Sequence, residues 1–389
     1  MVKFLHTADW QLGQTLKLVG REKADELRGA RLDSIRNLLA LAREEDVDFI
    51  ITAGDNFESN QVRDGLVRKT VRILNDYATV PIFIIPGNHD PLMEDYPFTR
   101  LNSGQLDDHV RVLTEEEPVV VPGVDATIYP GICRQKKDSH NPIGWIPRRK
   151  EDKKIRIGLA HGSWQVLPEL PRDDYPIPEG GAEEFDLDYL GLGHWHSTFP
   201  DPEKNEKRTY YSGTPEPTSF SEPDSGNVLI VEIEAPERKP EVTKRQVAGY
   251  SWMTRDVTLS DETSLDGLED ELLGTEKDPG RSLLNLEVTG VTSLSVDDRF
   301  QDLLAGLKDR FFFVRADKEG LNLIPTKEEV QDLSAGEGWL KGAVENLERI
   351  VSDNGGYVPE GWPFTDPPTK EEAERALSLI YTHADREGA

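Results

Sequence analysis

The side chains best suited to chemistry form an ordered series: Asp9-Trp10-Gln11, Gly54-Asp55-Asn56, Gly87-Asn88-His89-Asp90, His161-Gly162 and Gly193-His194-Trp195-His196. Carboxylates, amide oxygens and imidazoles are the donors that hold a divalent cation and, through it, a phosphate. Each member also has an ordinary reading. Gly-Asp-Asn is a common turn, Pro86 to Asp90 can be a polar turn after a core strand, and alternate residues of His-x-His share a face of any strand. The functional reading rests on the series, because each group follows a stretch that reads as a strand.

Residues 3–8, led by Phe4 and Leu5, read as the first of these strands and run into Asp9. Residues 22–46 carry Leu27, Ile35, Leu38, Leu39 and Ala42 at roughly helical spacing, and residues 47–53 form a second strand ending at Gly54-Asp55. A helix at 60–78 leads into a third strand from Val80, which Pro86 and Gly87 end abruptly. The β-α-β-α-β order predicts a sheet covered by helices, with the C-terminal ends of its parallel strands on one edge. Asp9, Asp55, Asn88 and His89 are therefore expected to converge. Residues 155–160 and 189–193 repeat the pattern and end at His161 and His194. Residues 210–213 and 228–233 are expected to be antiparallel strands late in a second sheet.

With these motifs in place, the sequence resembles the calcineurin-like metallophosphoesterase superfamily. The segments His6-Thr7-Ala8-Asp9-Trp10-Gln11-Leu12-Gly13-Gln14, Gly54-Asp55-Asn56-Phe57-Glu58 and Tyr211 to Phe220 narrow the resemblance to SbcD-type DNA-repair exonucleases. It covers residues 1–235. It implies a four-layer α-β-β-α sandwich of α/β class with a small α+β capping domain, a helical C-terminal segment and two Mn2+ ions, Mg2+ or Fe2+ being alternatives. Asp55 would bridge both ions. Asp9, Gln11 and His196 would complete the first site, and Asn88, His161 and His194 the second. Two cations neutralise a phosphodiester and activate water near neutral pH. His89 would stabilise phosphoryl charge or protonate the leaving oxygen, and Asp90 would orient His89.

One position departs from the family pattern. Gln11 stands where Asp-x-His is usual, and an amide oxygen is a weaker donor to a transition metal than imidazole. A weaker first site is therefore expected. The implied activity is a 3′-to-5′ double-strand exonuclease with single-strand endonuclease activity in break repair, working with an SbcC-type coiled-coil ATPase. Two other readings stay open: a phosphoesterase acting on small phosphoesters, and a DNA-end-binding scaffold with an impaired first site.

Across 389 residues, 45 Lys and Arg face 73 Asp and Glu, a net charge of −28. This excess argues against a surface that coats DNA or membrane throughout and suits a solvating acidic shell. A DNA-cutting chain then needs a local positive surface. The stretch 134–156 has nine basic residues against three acidic ones, with Trp145 placed to stack on a base and Arg148, Arg149 and Lys150 to meet phosphates. It reads equally well as a solvated loop. Thr218 and Ser219 can offer hydroxyls to phosphates or simply form a turn. The single cysteine, Cys133, excludes an intrachain disulfide and a cysteine-based zinc cluster. With no signal peptide or membrane-length apolar run visible, a cytoplasmic chain is expected.

The expected division is a nuclease domain at 1–245, a capping domain at 246–326 and a helical segment at 327–389. In the capping domain, Ser295 is the expected cap of a helix running to Arg310, with Asp298 in its first turn. Thr369-Lys370-Glu371-Glu372 has the form of a capping box. The stripe Ala373, Ala376, Leu377, Ile380 and Tyr381 either packs on the chain's own core or grips the ATPase partner. A homodimer contact through the helix at 60–78 is the further expectation.

Overall fold

The computed structural model describes residues 1–100, 105–150, 153–274, 278–324, 326, 329, 339–354, 356–362 and 365–384. The chain divides into two compact units, Met1–Trp252 and Met253–Ala389. The division falls seven residues later than the expected boundary at 245, and the C-terminal helices belong to the second unit.

In chain order the first unit contains β1 (Val2–Thr7), α1 (Arg21–Glu44), β2 (Phe49–Ala53), α2 (Asp64–Tyr77), β3 (Ile82–Ile85), β4 (Val110–Val112), β5 (Val119–Val120), β6 (Ala126–Pro130), β7 (Ile155–His161), α3 (Gly181–Glu184), β8 (Tyr189–Gly193), β9 (Thr209–Tyr211), β10 (Asn227–Ile233) and β11 (Glu241–Gln246). They form a six-stranded sheet, β11-β10-β1-β2-β3-β4, and a five-stranded sheet, β5-β6-β7-β8-β9.

Alternation along the first three strands shows why the two sheets stack. Leu5, Ile50, Ile82 and Ile84 face one way and meet Ile35, Leu38 and Leu39 of α1 and Val67, Val71 and Leu74 of α2. Phe4, Phe49, Ile51, Phe83 and Ile85 face the other way and meet Ile128, Ile157, Leu159 and Tyr189 of the second sheet. A sheet buried on both faces needs apolar residues on both, which is why these strands read as continuous apolar runs. The layers are helices, sheet, sheet and an outer cover. That cover is mostly irregular chain, with α3 of four residues set among Ile143, Trp164, Ile177 and Leu187.

The expected placement of two strands is corrected. β9 runs parallel to β8 in the second sheet. β10 is antiparallel, but it pairs with β1 in the first sheet, with Val2 opposite Ile233 and His6 opposite Leu229. Pairing across more than two hundred residues is set by tertiary fit, which no local pattern encodes. The helix expected at 60–78 begins only at Asp64.

The second unit has the strand order β12 (Ser251–Leu259), β13 (Ser282–Thr292) and β14 (Phe313–Leu323), the first of which begins in the preceding unit. It also contains the helices α4 (Leu268–Gly274), α5 (Leu294–Arg310), α6 (Trp339–Ser352) and α7 (Lys370–Ala384). Val296, Phe300, Leu304 and Leu307 lie along one face of α5 and pack on Leu284, Leu286 and Val288. The cap of α5 is Ser293, whose Oγ accepts from Val296 N at 3.4 Å; Ser295 lies inside the helix and Asp297 is the acidic residue of its first turn. At α7 the reciprocal box forms: Glu372 N donates to Thr369 Oγ1 at 3.2 Å and Thr369 N to Glu372 Oε2 at 2.9 Å. Leu377 and Ile380 pack on Val344 and Leu347, so this part of the stripe is used within the chain. The side chain of Tyr381 lies outside the described residues.

Candidate metal centre

β1, β2 and β3 are mutually parallel, as are β7 and β8, so their C-terminal ends collect the ordered series. The loops after β1 and β2 run side by side. Asp9 N donates to Gly54 O at 3.0 Å, Gln11 N to Asp55 O at 3.0 Å and Leu12 N to Asn56 O at 3.1 Å. This tie forces non-glycine residues into the left-handed region, with φ of 51° at Asp9, 48° at Gln11 and 51° at Asp55; His194 has φ of 114°. Such backbone persists only where surrounding contacts over-determine it, and it clusters at functional sites.

Acceptors converge within this frame. His161 Nδ1 lies 2.8 Å from Ala53 O. A carbonyl only accepts, so Nδ1 carries a proton there and Nε2 is turned inward. Nε2 meets Asn88 Oδ1 at 2.9 Å and Asp55 Oδ1 at 3.4 Å, both of them acceptors. Asn88 is held in this orientation by Asp174, whose Oδ2 accepts from Asn88 Nδ2 at 3.3 Å. Asp9, Asp55 and His161 each offer a ligand atom within 4.8 Å of the others, and all three are buried. Two buried carboxylates and an inward-facing imidazole nitrogen are the donor set of a cation, so these residues fit a divalent ion. Gly87 makes room for the arrangement: a Cβ there would collide with Asp55 Oδ1 and its backbone nitrogen.

His194 N donates to both oxygens of Asp9 at 3.1 Å, and its ring stands edge-on to His161 at 5.3 Å between centroids. Burial and the neighbouring His161 push the His194 pKa down to about 3, so its ring is neutral and available as a ligand. Burial lifts Asp9 to about 6 despite the imidazoles of His196 and His161. Burial also acts to raise Asp55, but His161 and His89 outweigh it and leave Asp55 below its ordinary value.

His196 has a partner that its sequence motif does not announce. Its Nδ1 lies 2.7 Å from Glu222 Oε1, and Thr218 Oγ1 also hydrogen-bonds this carboxylate. Burial pulls His196 down, yet the bond to Glu222 and the charge of Asp9 raise it to about 9. The carboxylate fixes the ring with Nε2 toward Gln11. Gln11 is buried, with Nε2 3.0 Å from Asp55 Oδ2 and 3.4 Å from His196 Nε2.

His89 stands at the open side. Its side chain is 46% exposed, its N donates to Asp55 Oδ1 at 2.8 Å, and its Nδ1 lies 3.2 Å from Glu58 O. Asp90 does not orient it. The Asp90 carboxylate is buried and accepts from Gly87 N at 2.7 Å, Phe57 N at 3.1 Å and Asn56 Nδ2 at 3.3 Å, so it ties this loop to the one after β2.

A family model for calcineurin-like phosphoesterases matches residues 2–198, slightly over half of the chain. The chain belongs to the calcineurin-like phosphoesterase family. Members use divalent metal ions. Among curated relatives, the SbcD subunit of the nuclease SbcCD from Bacillus subtilis is 28% identical over 304 residues, covering 65% of this chain and 75% of that protein. The DNA double-strand break repair protein Mre11 of Saccharolobus solfataricus is 31% identical over 202 residues, covering 51% of this chain and 50% of that one. Among solved structures, TT1561 of Thermus thermophilus aligns with a TM-score of 0.39 and 11% identity, covering 63% of this chain and 99% of that one.

Four side chains read as DNA contacts of this phosphoesterase are engaged elsewhere or partly so. Arg149 is turned inward: its guanidinium pairs with the buried Asp188 at 2.6 Å and donates to Lys154 O at 2.9 Å. Trp145 is half-buried, donating from Nε1 to Pro130 O at 3.1 Å, with its ring against Tyr129. Thr218 is buried on Glu222, and Ser219 Oγ lies 2.8 Å from Ser221 Oγ. Arg148 and Lys150 are exposed; residues 151–152 of the basic stretch lie outside the described residues. Among the described residues, no helix is long and apolar enough to cross a membrane.

Proposed function

We propose that the chain is a metal-dependent DNA phosphodiesterase of double-strand-break repair, a 3′-to-5′ double-strand exonuclease with single-strand endonuclease activity. The observation that carries this reading is the convergence of Asp55 Oδ1, Asn88 Oδ1 and His161 Nε2 beside the exposed His89. Asn88, His161 and His194, with Asp55, would hold one ion; Asp9 and His196, with Asp55, flank the position of a second, beside Gln11. Manganese suits this mixture of oxygens and imidazoles. When bound, the ions supply Lewis acidity to the phosphodiester and a nucleophile near neutral pH.

The chain's own side chains set the rest. Glu222 holds His196 in place, Asp174 holds Asn88, and Asp90 holds the loop that presents His89. His89 is the group free to meet a phosphoryl oxygen or the departing sugar oxygen. Arg148 and Lys150 are exposed cations of the basic stretch and serve as phosphate contacts. The likeness to a subunit of the nuclease SbcCD and to a DNA double-strand break repair protein supports work on DNA; action with an SbcC-type coiled-coil ATPase, as a homodimer in the cytoplasm, is part of the same proposal.

The test compares end-labelled linear duplex DNA with a small phosphomonoester, each with manganese. Nucleotide release that a chelator abolishes is the expected result. Hydrolysis of the monoester with intact DNA would instead assign the chain to small phosphoesters. For the partner, retained ATPase binding after truncation at residue 326 would remove the C-terminal segment from the interface.

A further inference from the structure

We propose that the carboxamide of Gln11 stands in for one of the two cations, so that the chain keeps a single resident divalent ion, in the corner formed by Asp55, Asn88, His161 and His194. The inference rests on the phosphoesterase reading of this site and concerns how it is loaded.

Gln11 Nε2 lies between Asp55 Oδ2, at 3.0 Å, and His196 Nε2, at 3.4 Å. A cation shared by those two ligands would need that gap. The nitrogen-inward orientation lets the amide donate to Asp55 Oδ2, and reversing it would set Oε1 against that acceptor. The contact leaves Oε1 buried with no hydrogen-bond partner.

The backbone keeps the group there. Gln11 is 2% exposed, its N donates to Asp55 O at 3.0 Å, and its φ is 48°. The bond from Leu12 N to Asn56 O continues the same tie. Withdrawing the side chain therefore means disturbing two loops.

The two corners are thus unequal. At Asn88 and His161, Asp55 Oδ1 accepts a backbone N–H from His89 and no carboxamide nitrogen stands between it, Asn88 Oδ1 and His161 Nε2, which leaves the corner to a cation. At His196, a donor from Gln11 already answers the Asp55 carboxylate, and a cation has to displace it.

Equilibrium dialysis with manganese alone, followed by electron paramagnetic resonance, tests this. The natural chain is expected to retain one ion per chain, magnetically isolated, with any second ion at least tenfold weaker. Gln11→His is expected to retain two ions that are spin-coupled. Gln11→Ala, which removes the stand-in, is expected to bind the second ion no more weakly than the natural chain. Two ions of matched affinity in the natural chain would overturn the proposal. So would a tenfold loss of the second ion in Gln11→Ala, which would make Gln11 an ordinary ligand. The natural chain alone decides the stoichiometry if a variant fails to fold. Failure of the nuclease reading is separate: a Gln11→His chain carrying two ions that cuts no phosphodiester would refute the activity and leave the stand-in role intact.

Discussion

Asn88 Oδ1 and His161 Nε2 face each other at 2.9 Å, with His161 Nδ1 committed to Ala53 O on the far side of the ring. An amide oxygen and an imidazole nitrogen brought together beside the Asp55 carboxylate suit a divalent cation. Manganese should therefore raise the thermal midpoint, and at a hundred times its dissociation constant the gain is about 2.7 kcal/mol. Asp55→Asn should abolish most of that shift. Differential scanning calorimetry measures it, and an equal shift in both chains would place the ion elsewhere.

The carboxylate of Glu222, 2.7 Å from His196 Nδ1, is expected to matter for loading rather than for folding. Losing such a partner commonly costs ~10- to 100-fold in metal affinity or activity. Glu222→Gln should raise the manganese midpoint for cleavage by about that factor while leaving the resident ion's affinity unchanged. A midpoint identical to that of the natural chain would show that His196 does not need this support.

Arg148 and Arg149 are neighbours with opposite expected phenotypes. Arg149 is 8% exposed and paired with Asp188, itself 1% exposed, so Arg149→Ala takes the nearest cation from a buried carboxylate and leaves it Arg208 at 3.7 Å and the backbone N–H groups of Arg156 and Glu237. Breaking such a pair costs about 3–5 kcal/mol, read as a lower urea midpoint. Arg148→Glu should spare stability, weaken DNA binding and flatten its salt dependence. Equal loss of DNA affinity in both variants, with stability unchanged, would contradict this division.

His6 gives a pH signature away from the ligand cluster. It is buried against Tyr189 OH at 2.9 Å, and burial lowers its pKa to about 3. The unfolded chain takes up a proton below pH 6.5 that the folded chain refuses until about pH 3. Stability from this group is therefore present above pH 6.5 and falls as pH drops through that window, by up to ~1.4 kcal/mol per pH unit. Urea unfolding at pH 6.5 and pH 5 should show a shallower slope in His6→Gln. Identical slopes would mean that His6 protonates without unfolding.

The convergence of Asp9, Asp55, Asn88, His161, His194 and His196 is legible in the sequence because parallel strands put their ends on one edge and the polar residues follow apolar runs. Glu222 is not legible: it lies 26 residues beyond His196 in an irregular segment and meets it only through tertiary folding. Asp174 escapes for the same reason. Arg149 misleads because a charge in a basic run looks solvated until the buried Asp188 is seen beside it. Asp90 looks like a partner of His89 because adjacency in sequence suggests proximity of side chains, whereas the two point to different places. The choice of Ser293 over Ser295 depends on backbone angles that two nearby serines leave undetermined.

The most direct test of the account is manganese-titrated nucleotide release from end-labelled linear duplex by the natural chain and by His89→Ala. Cleavage that rises with manganese, and falls by about 100-fold or more in His89→Ala with the resident ion retained, is the expected result. Undiminished cleavage in His89→Ala would contradict the role of this site, and no cleavage by the natural chain at any manganese level, with or without the ATPase partner and ATP, would contradict the nuclease itself.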